Sequence, residues 1–202
     1  MPYYIRVLAE KVERIPLQVL TGNLRKEKLD VTLVVEAGTE EAWDSLLLAH
    51  LDGSEIAVIE RNPVESSGLG KEELEEFIAE MEDARPRSAA NWLKAYLPNI
   101  RAIYAFQLLS GTDKDKGFEA VWAVQGELWK RLGGIFQSDG EGFSNRDGYQ
   151  IIWDFSDTAS GLWKMAVLER TGHWKEFEME LSNKAQRDVF LEGRVPPGVK
   201  ML

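Results

Sequence analysis

The chain contains no cysteine. Disulfide frameworks, thiolate nucleophiles and cysteine metal centres are therefore excluded at the outset. Histidine is almost as scarce, with two in 202 residues, His50 and His173. A Ser-His-Asp arrangement would have to use one of them, and no Gly-x-Ser-x-Gly elbow accompanies either. No His-Glu-x-x-His zinc motif occurs. No apolar stretch approaches the ~20 residues that a membrane helix needs. Met1 to Leu8 lacks the basic segment and apolar run of a secretory leader. The expectation is a soluble cytoplasmic protein without membrane contact.

Clustered positive charge is also missing. The formal net charge is −10, and the most basic run, Arg25-Lys26-Glu27-Lys28, is short and interrupted. A nucleic-acid phosphate backbone would be repelled by such a surface, so nucleic acid is not an expected partner. The acidity itself speaks to solubility and association more than to any activity.

What is present is core-building material. Hydrophobic residues make up 44% of the chain, including seven Trp, eight Phe and five Tyr. Strands are expected over 3–8, 29–36, 55–60, 101–109, 135–138, 149–155, 162–170 and 176–181, the second of them well buried. In the last, Phe177, Met179 and Leu181 alternate with Glu176, Glu178 and Glu180, the period of a sheet with one wet face. Pro16 interrupts the segment 9–20 and leaves it ambiguous between helix and loop.

Helices are expected where apolar residues recur at i, i+3, i+4 and i+7. Thr39 reads as the cap of one carrying Trp43, Leu46, Leu47 and His50 on a single face. Residues 71–83 form a second, with Leu74, Phe77, Ile78 and Met81 inward and six glutamates outward. Ser88 reads as the cap of a third. Residues 118–132 carry a stripe of Phe118, Val121, Trp122, Gln125, Leu128, Trp129 and Leu132, stopped by Gly133-Gly134. The role of that stripe is core packing; any part left exposed would be a partner-binding face. Asn183, three residues before Gln186, resembles a capping box for a last helix ending near Gly193.

Helices mixed with strands and then consecutive strands predict an α+β fold. Its sheets should be mixed or mainly antiparallel, with packed helices, in one compact unit over residues 1–202. Ile56-Ala57-Val58-Ile59-Glu60-Arg61 is echoed by Met165-Ala166-Val167-Leu168-Glu169-Arg170, and Trp43-Asp44 by Trp153-Asp154. These echoes suggest two related halves, 1–98 and 99–202, with a ligand cleft between them.

The most unusual stretch runs from Gly133 to Tyr149, with five glycines and three carboxylates between apolar strands. Asn145-Arg146-Asp147-Gly148 has the composition of a hairpin turn. Gln137 to Gly142 has no such explanation, and its glycines permit close approach of a ligand. Phe143 falls at a ligand position of the EF-hand pattern and defeats it. An irregular metal site from Asp139, Glu141 and Asp147 is the weaker reading against a plain hairpin, and no metal or cofactor is assigned. Gly68-Leu69-Gly70-Lys71 resembles part of a phosphate loop, but Glu65 and Glu72 occupy positions that need Gly and Ser or Thr.

The sequence thus points to a non-enzymatic protein that binds a protein or small-molecule partner, and it leaves a homodimer open. The expected ligand residues are Gln137, Asp147, Trp153, Trp174 and His173. The alternative is a hydrolase in which Glu141 and Asp139 act as paired carboxylates ~5–10 Å apart, with or without a metal.

Overall fold

The computed structural model describes residues 3–65 and 67–202 of the protein. In chain order the elements are β1 (Tyr3–Ala9), α1 (Leu17–Lys26), β2 (Val31–Gly38), β3 (Trp43–His50), β4 (Glu55–Pro63), α2 (Leu69–Glu80), α3 (Arg87–Tyr96) and β5 (Ala102–Leu108). Then follow α4 (Gly117–Leu132), β6 (Ile135–Ser138), β7 (Gly142–Phe143), β8 (Leu162–Leu168), β9 (Trp174–Glu180), α5 (Lys184–Leu191) and β10 (Lys200–Met201). The fold is α+β, with mainly antiparallel sheets and packed helices. Among the described residues no helix is long and apolar enough to cross a membrane.

The chain divides into two compact units, each built from two segments. The first comprises the chain up to Lys71 and Ile100–Gly134. Its antiparallel strands run in the order β2-β3-β4-β5-β1. β5 is the most buried of them, with Ala102 to Phe106 all inaccessible. α4 packs on α1, where Asn23 Nδ2 donates to the Ala123 carbonyl at 2.9 Å.

Residues 43–50 form a strand where the sequence pattern predicted a helix, and Thr39 shows why. Its hydroxyl accepts from the Ala42 amide at 3.1 Å, the contact an N-cap makes three residues ahead. Thr39 and Ala42 also exchange both backbone hydrogen bonds, so this contact closes a hairpin between β2 and β3. Short runs such as Leu46-Leu47-Leu48 carry no periodicity that separates strand from helix. Expected to be well buried, β2 has only Leu33 inaccessible and Val34 exposed, because it stands last in the strand order.

α4 is also turned relative to its expected stripe. Ala120, Val121, Val124, Gln125, Leu128 and Leu132 are buried, whereas Phe118 and Trp122 are exposed. The double-glycine stop is as expected: Gly133 and Gly134 have φ of +67° and +108°. A Cβ on Gly134 would lie 1.9 Å from the Leu8 carbonyl oxygen, so the position has no room for any other residue.

The second unit comprises Glu72–Asn99 and Ile135–Leu202. An antiparallel sheet of order β10-β9-β8 packs on α5. Phe155, Met165, Val167, Phe177, Met179, Leu181 and Phe190 form its core. The alternation read from the sequence of β9 holds: Phe177 and Met179 are buried and the flanking glutamates are not. The Asn183 side chain accepts from the Gln186 amide at 3.2 Å, but Gln186 Oε1 is buried without a partner, so the capping box is half made. Ser88 caps nothing. Pro86 precedes α3, and no side chain caps that helix. Residues 149–155 lack a strand; Gln150 alone forms isolated bridges, to Ser144 and to Met165.

The sequence echo is not confirmed as a duplication. Ile56 to Arg61 lies in β4 and Met165 to Leu168 in β8, but Trp43 opens a strand while Trp153 lies outside one. The order of elements in one unit does not repeat in the other.

Trp43 ties the first unit together. It is 2% exposed, donates through Nε1 to the Ile15 carbonyl at 2.7 Å and meets Tyr104 edge-on at 5.7 Å. Trp43→Phe keeps an aromatic ring but strands that carbonyl. Urea denaturation should show a loss of about 1–3 kcal/mol; an unchanged midpoint would mean that water replaces the donor.

Candidate ligand-binding site

The site is built on a backbone tie that the sequence did not reveal. β6 and β7 form a hairpin, with Gln137 opposite Phe143 and Ser138 opposite Gly142. Gln150 then crosses it. Its Nε2 donates to the Glu141 carbonyl at 2.5 Å and to the Ile152 carbonyl at 3.2 Å. Its own amide and carbonyl bond to Lys164 and Ala166, on β8. Gly142 has φ of +100°, and a Cβ there would lie 2.8 Å from the Ile152 carbonyl oxygen. Close approach is what this glycine serves, as expected, but the approaching group is the chain's own backbone.

The turn that follows is also spent on folding. Asn145 is fully buried; its Oδ1 accepts from the Asp147 and Tyr149 amides at 3.0 and 2.9 Å. Gly148, with φ of +84°, donates to the Asn145 carbonyl at 3.2 Å and closes the turn. Ser144 Oγ accepts from the Phe136 amide and donates to the Asn145 carbonyl, each at 2.9 Å. Asp147 is exposed on this turn.

These ties bring residues 152–154 against the hairpin and the end of α2, around a cavity of about 380 Å³. Met81, Phe143 and Ile152, all at least 97% buried, give it an apolar floor. Trp153 forms part of the wall. Its amide donates to the Arg85 carbonyl at 3.0 Å and its Nε1 to the Phe155 carbonyl at 3.1 Å. Arg187, paired with Asp157 at 2.9 Å, lies over its ring. Gln137, buried apart from its cavity edge, adds an amide. Glu80, Asp83 and Asp154 bring carboxylates, against the single guanidinium of Arg85.

Asp154 is the perturbed group. Loss of hydration at the wall raises its carboxyl above the ordinary 3.8, and the Asp139 carboxylate adds to the effect. A hydrogen bond from the Gly140 amide opposes the rise without cancelling it.

Of the residues expected from sequence, Gln137 and Trp153 line this cavity, and Asp139 stands close enough to Asp154 to be felt. Glu141 lies in the hairpin turn, with its carbonyl committed to Gln150. Trp174 and His173 are elsewhere. Trp174 packs edge-on to Trp92 at 5.3 Å, and Trp92 stacks on Tyr96 at 4.6 Å. His173 is exposed, with Nδ1 3.3 Å from the Thr171 hydroxyl. Among the described residues no group of three or more His, Asp or Glu side chains could hold a metal ion. The sequence reading missed Glu80, Asp83 and Arg85. Its signal was available: the glutamate face of α2 runs on past the helix end to the break before Pro86.

No family model, curated protein or solved structure matches the chain. Function must therefore be argued from the cavity itself.

Asp154 has a stability consequence with a definite sign. Its folded pKa exceeds the unfolded one, so between the two values the folded state binds the extra proton. Stability from this group is complete below pH 3.8 and falls as pH rises through the folded value. Asp154→Asn, neutral throughout, should be more stable than the parent at neutral pH and equal to it in acid. Urea titrations at both ends check this; a difference independent of pH would contradict the assigned shift.

Proposed function

We propose that the protein is a non-enzymatic binding protein whose second unit takes a ligand combining an apolar body with a cationic group. The observation that carries this reading is the composition of the cavity wall: three carboxylates and one guanidinium around a floor of Met81, Phe143 and Ile152. About 380 Å³ suits a small molecule of this kind, since ligand pockets begin near ~300 Å³. Trp153 offers ring surface to the apolar body, and Asp154 offers the counter-charge. A small amine fits that description, and so does a basic side chain presented by a protein partner.

The raised Asp154 carboxyl gives the reading a signature. An arriving cation prefers the ionised carboxylate, so binding and proton release are linked. Phenethylamine should quench tryptophan fluorescence saturably, and phenethyl alcohol, its uncharged counterpart, should bind far more weakly. Amine affinity should rise with pH as Asp154 ionises, and Asp154→Asn should weaken it about tenfold or more. Equal affinity for amine and alcohol, with no pH dependence, would overturn the proposal.

One observation favours the hydrolase reading. The Asp154 carboxyl is raised by loss of hydration and by the nearby Asp139 carboxylate, and a carboxyl raised in this way can serve as a general acid. Turnover of a nitrophenyl glycoside, abolished alike by Asp139→Asn and Asp154→Asn, would support that assignment instead.

A further inference from the structure

A second concavity of the same unit reverses the charge of the molecule. It measures about 740 Å³ and is lined by the guanidinium-bearing residues Arg85, Arg87, Arg170 and Arg194, with Glu192 its sole acid. The whole chain carries 34 acidic and 24 basic side chains. Gathering four arginines there goes against that overall balance. Arg194 is paired with Glu192, and Arg87 donates to the carbonyls of Met81 and Glu82. Arg85 and Arg170 make no side-chain hydrogen bond or ion pair among the described residues. Four like charges with one acid among them are left in net excess, so the cluster attracts an anion.

Two further features point the same way. α3, ten residues long, begins at Arg87 on this wall with no side-chain cap and no acidic residue in its first turn. Its first amides therefore lack an intrahelical acceptor, and the helix dipole favours negative charge there. Ser88, also on the wall, holds a hydroxyl that is buried and without any partner. Gly193 lies over it: a Cβ at 193 would come within 3.2 Å of that hydroxyl. A buried donor with no acceptor costs free energy, and an oxyanion would supply the acceptor.

We infer that this arginine-lined concavity binds a phosphate-type oxyanion, free or as a small phosphomonoester. Arg85 and Arg170 provide the charge, while Ser88 and the first turn of α3 provide neutral donors. The site is separate from the amine cavity in its chemistry, although Arg85 touches both.

The test is calorimetric titration with inorganic phosphate and with phosphoserine, at ionic strength held constant with sodium chloride. The unmodified protein should bind at least one of them saturably; the tighter of the two names the source of the phosphate. Arg170→Gln should weaken binding about tenfold or more, since a charge-assisted contact is lost, and Ser88→Ala should weaken it less. Arg25→Gln, an equal loss of charge at an exposed position of α1 in the first unit, should leave it unchanged. Circular dichroism establishes that each variant is folded. Absence of saturable binding to the unmodified protein, or equal weakening by Arg25→Gln and Arg170→Gln, would overturn the inference. Arg170 does not line the amine cavity, so phenethylamine binding to Arg170→Gln separates failure of this site from failure of the other.

Discussion

The architecture of the second unit depends on one side-chain amide. Gln150 reaches two backbone carbonyls that would otherwise be left in a buried environment, those of Glu141 and Ile152. Its own backbone meanwhile bridges to β8. A short hairpin of two-residue and four-residue strands has little stability by itself. Anchored by this amide it becomes a fixed wall, and the segment leaving Gln150 is forced past Gly142. That passage delivers Ile152, Trp153 and Asp154 to the cavity.

The same constraint explains the electrostatics. Because the segment is held close to the hairpin, Asp154 loses hydration and lies within range of Asp139. Neither effect would exist in a loop free to swing into water. The folded state therefore raises the pKa of this carboxyl through contacts made elsewhere. Groups destabilised in this way are commonly found where a protein has chemistry to perform.

The fold was legible wherever local chemistry and tertiary context agreed. Pro16, Pro86 and Gly133-Gly134 mark real boundaries, and the alternation of β9 reports a real wet face. It was illegible where one local motif serves two structures. The Thr39 hydroxyl makes the same contact in a hairpin as in a helix cap, and three consecutive leucines carry no period. On α4, the spacing identified the helix, but its rotation was fixed by neighbours that only the folded chain supplies. The glycine-rich stretch was correctly singled out, yet its glycines and amides are occupied with backbone approach and turn closure. The cavity beside it draws two of its three acids, Glu80 and Asp83, from the end of α2 and the turn after it, a region whose acids look like ordinary surface in one dimension.

Sign separation is the feature that makes this distribution functionally suggestive. In an acidic chain, a carboxylate-lined cavity is the expected local composition, and its apolar floor is what distinguishes it from mere surface. An arginine-lined concavity is the opposite case, because the average composition works against it. Arg85 is common to the walls of both. It shares the first wall with three acidic residues and the second with three other arginines.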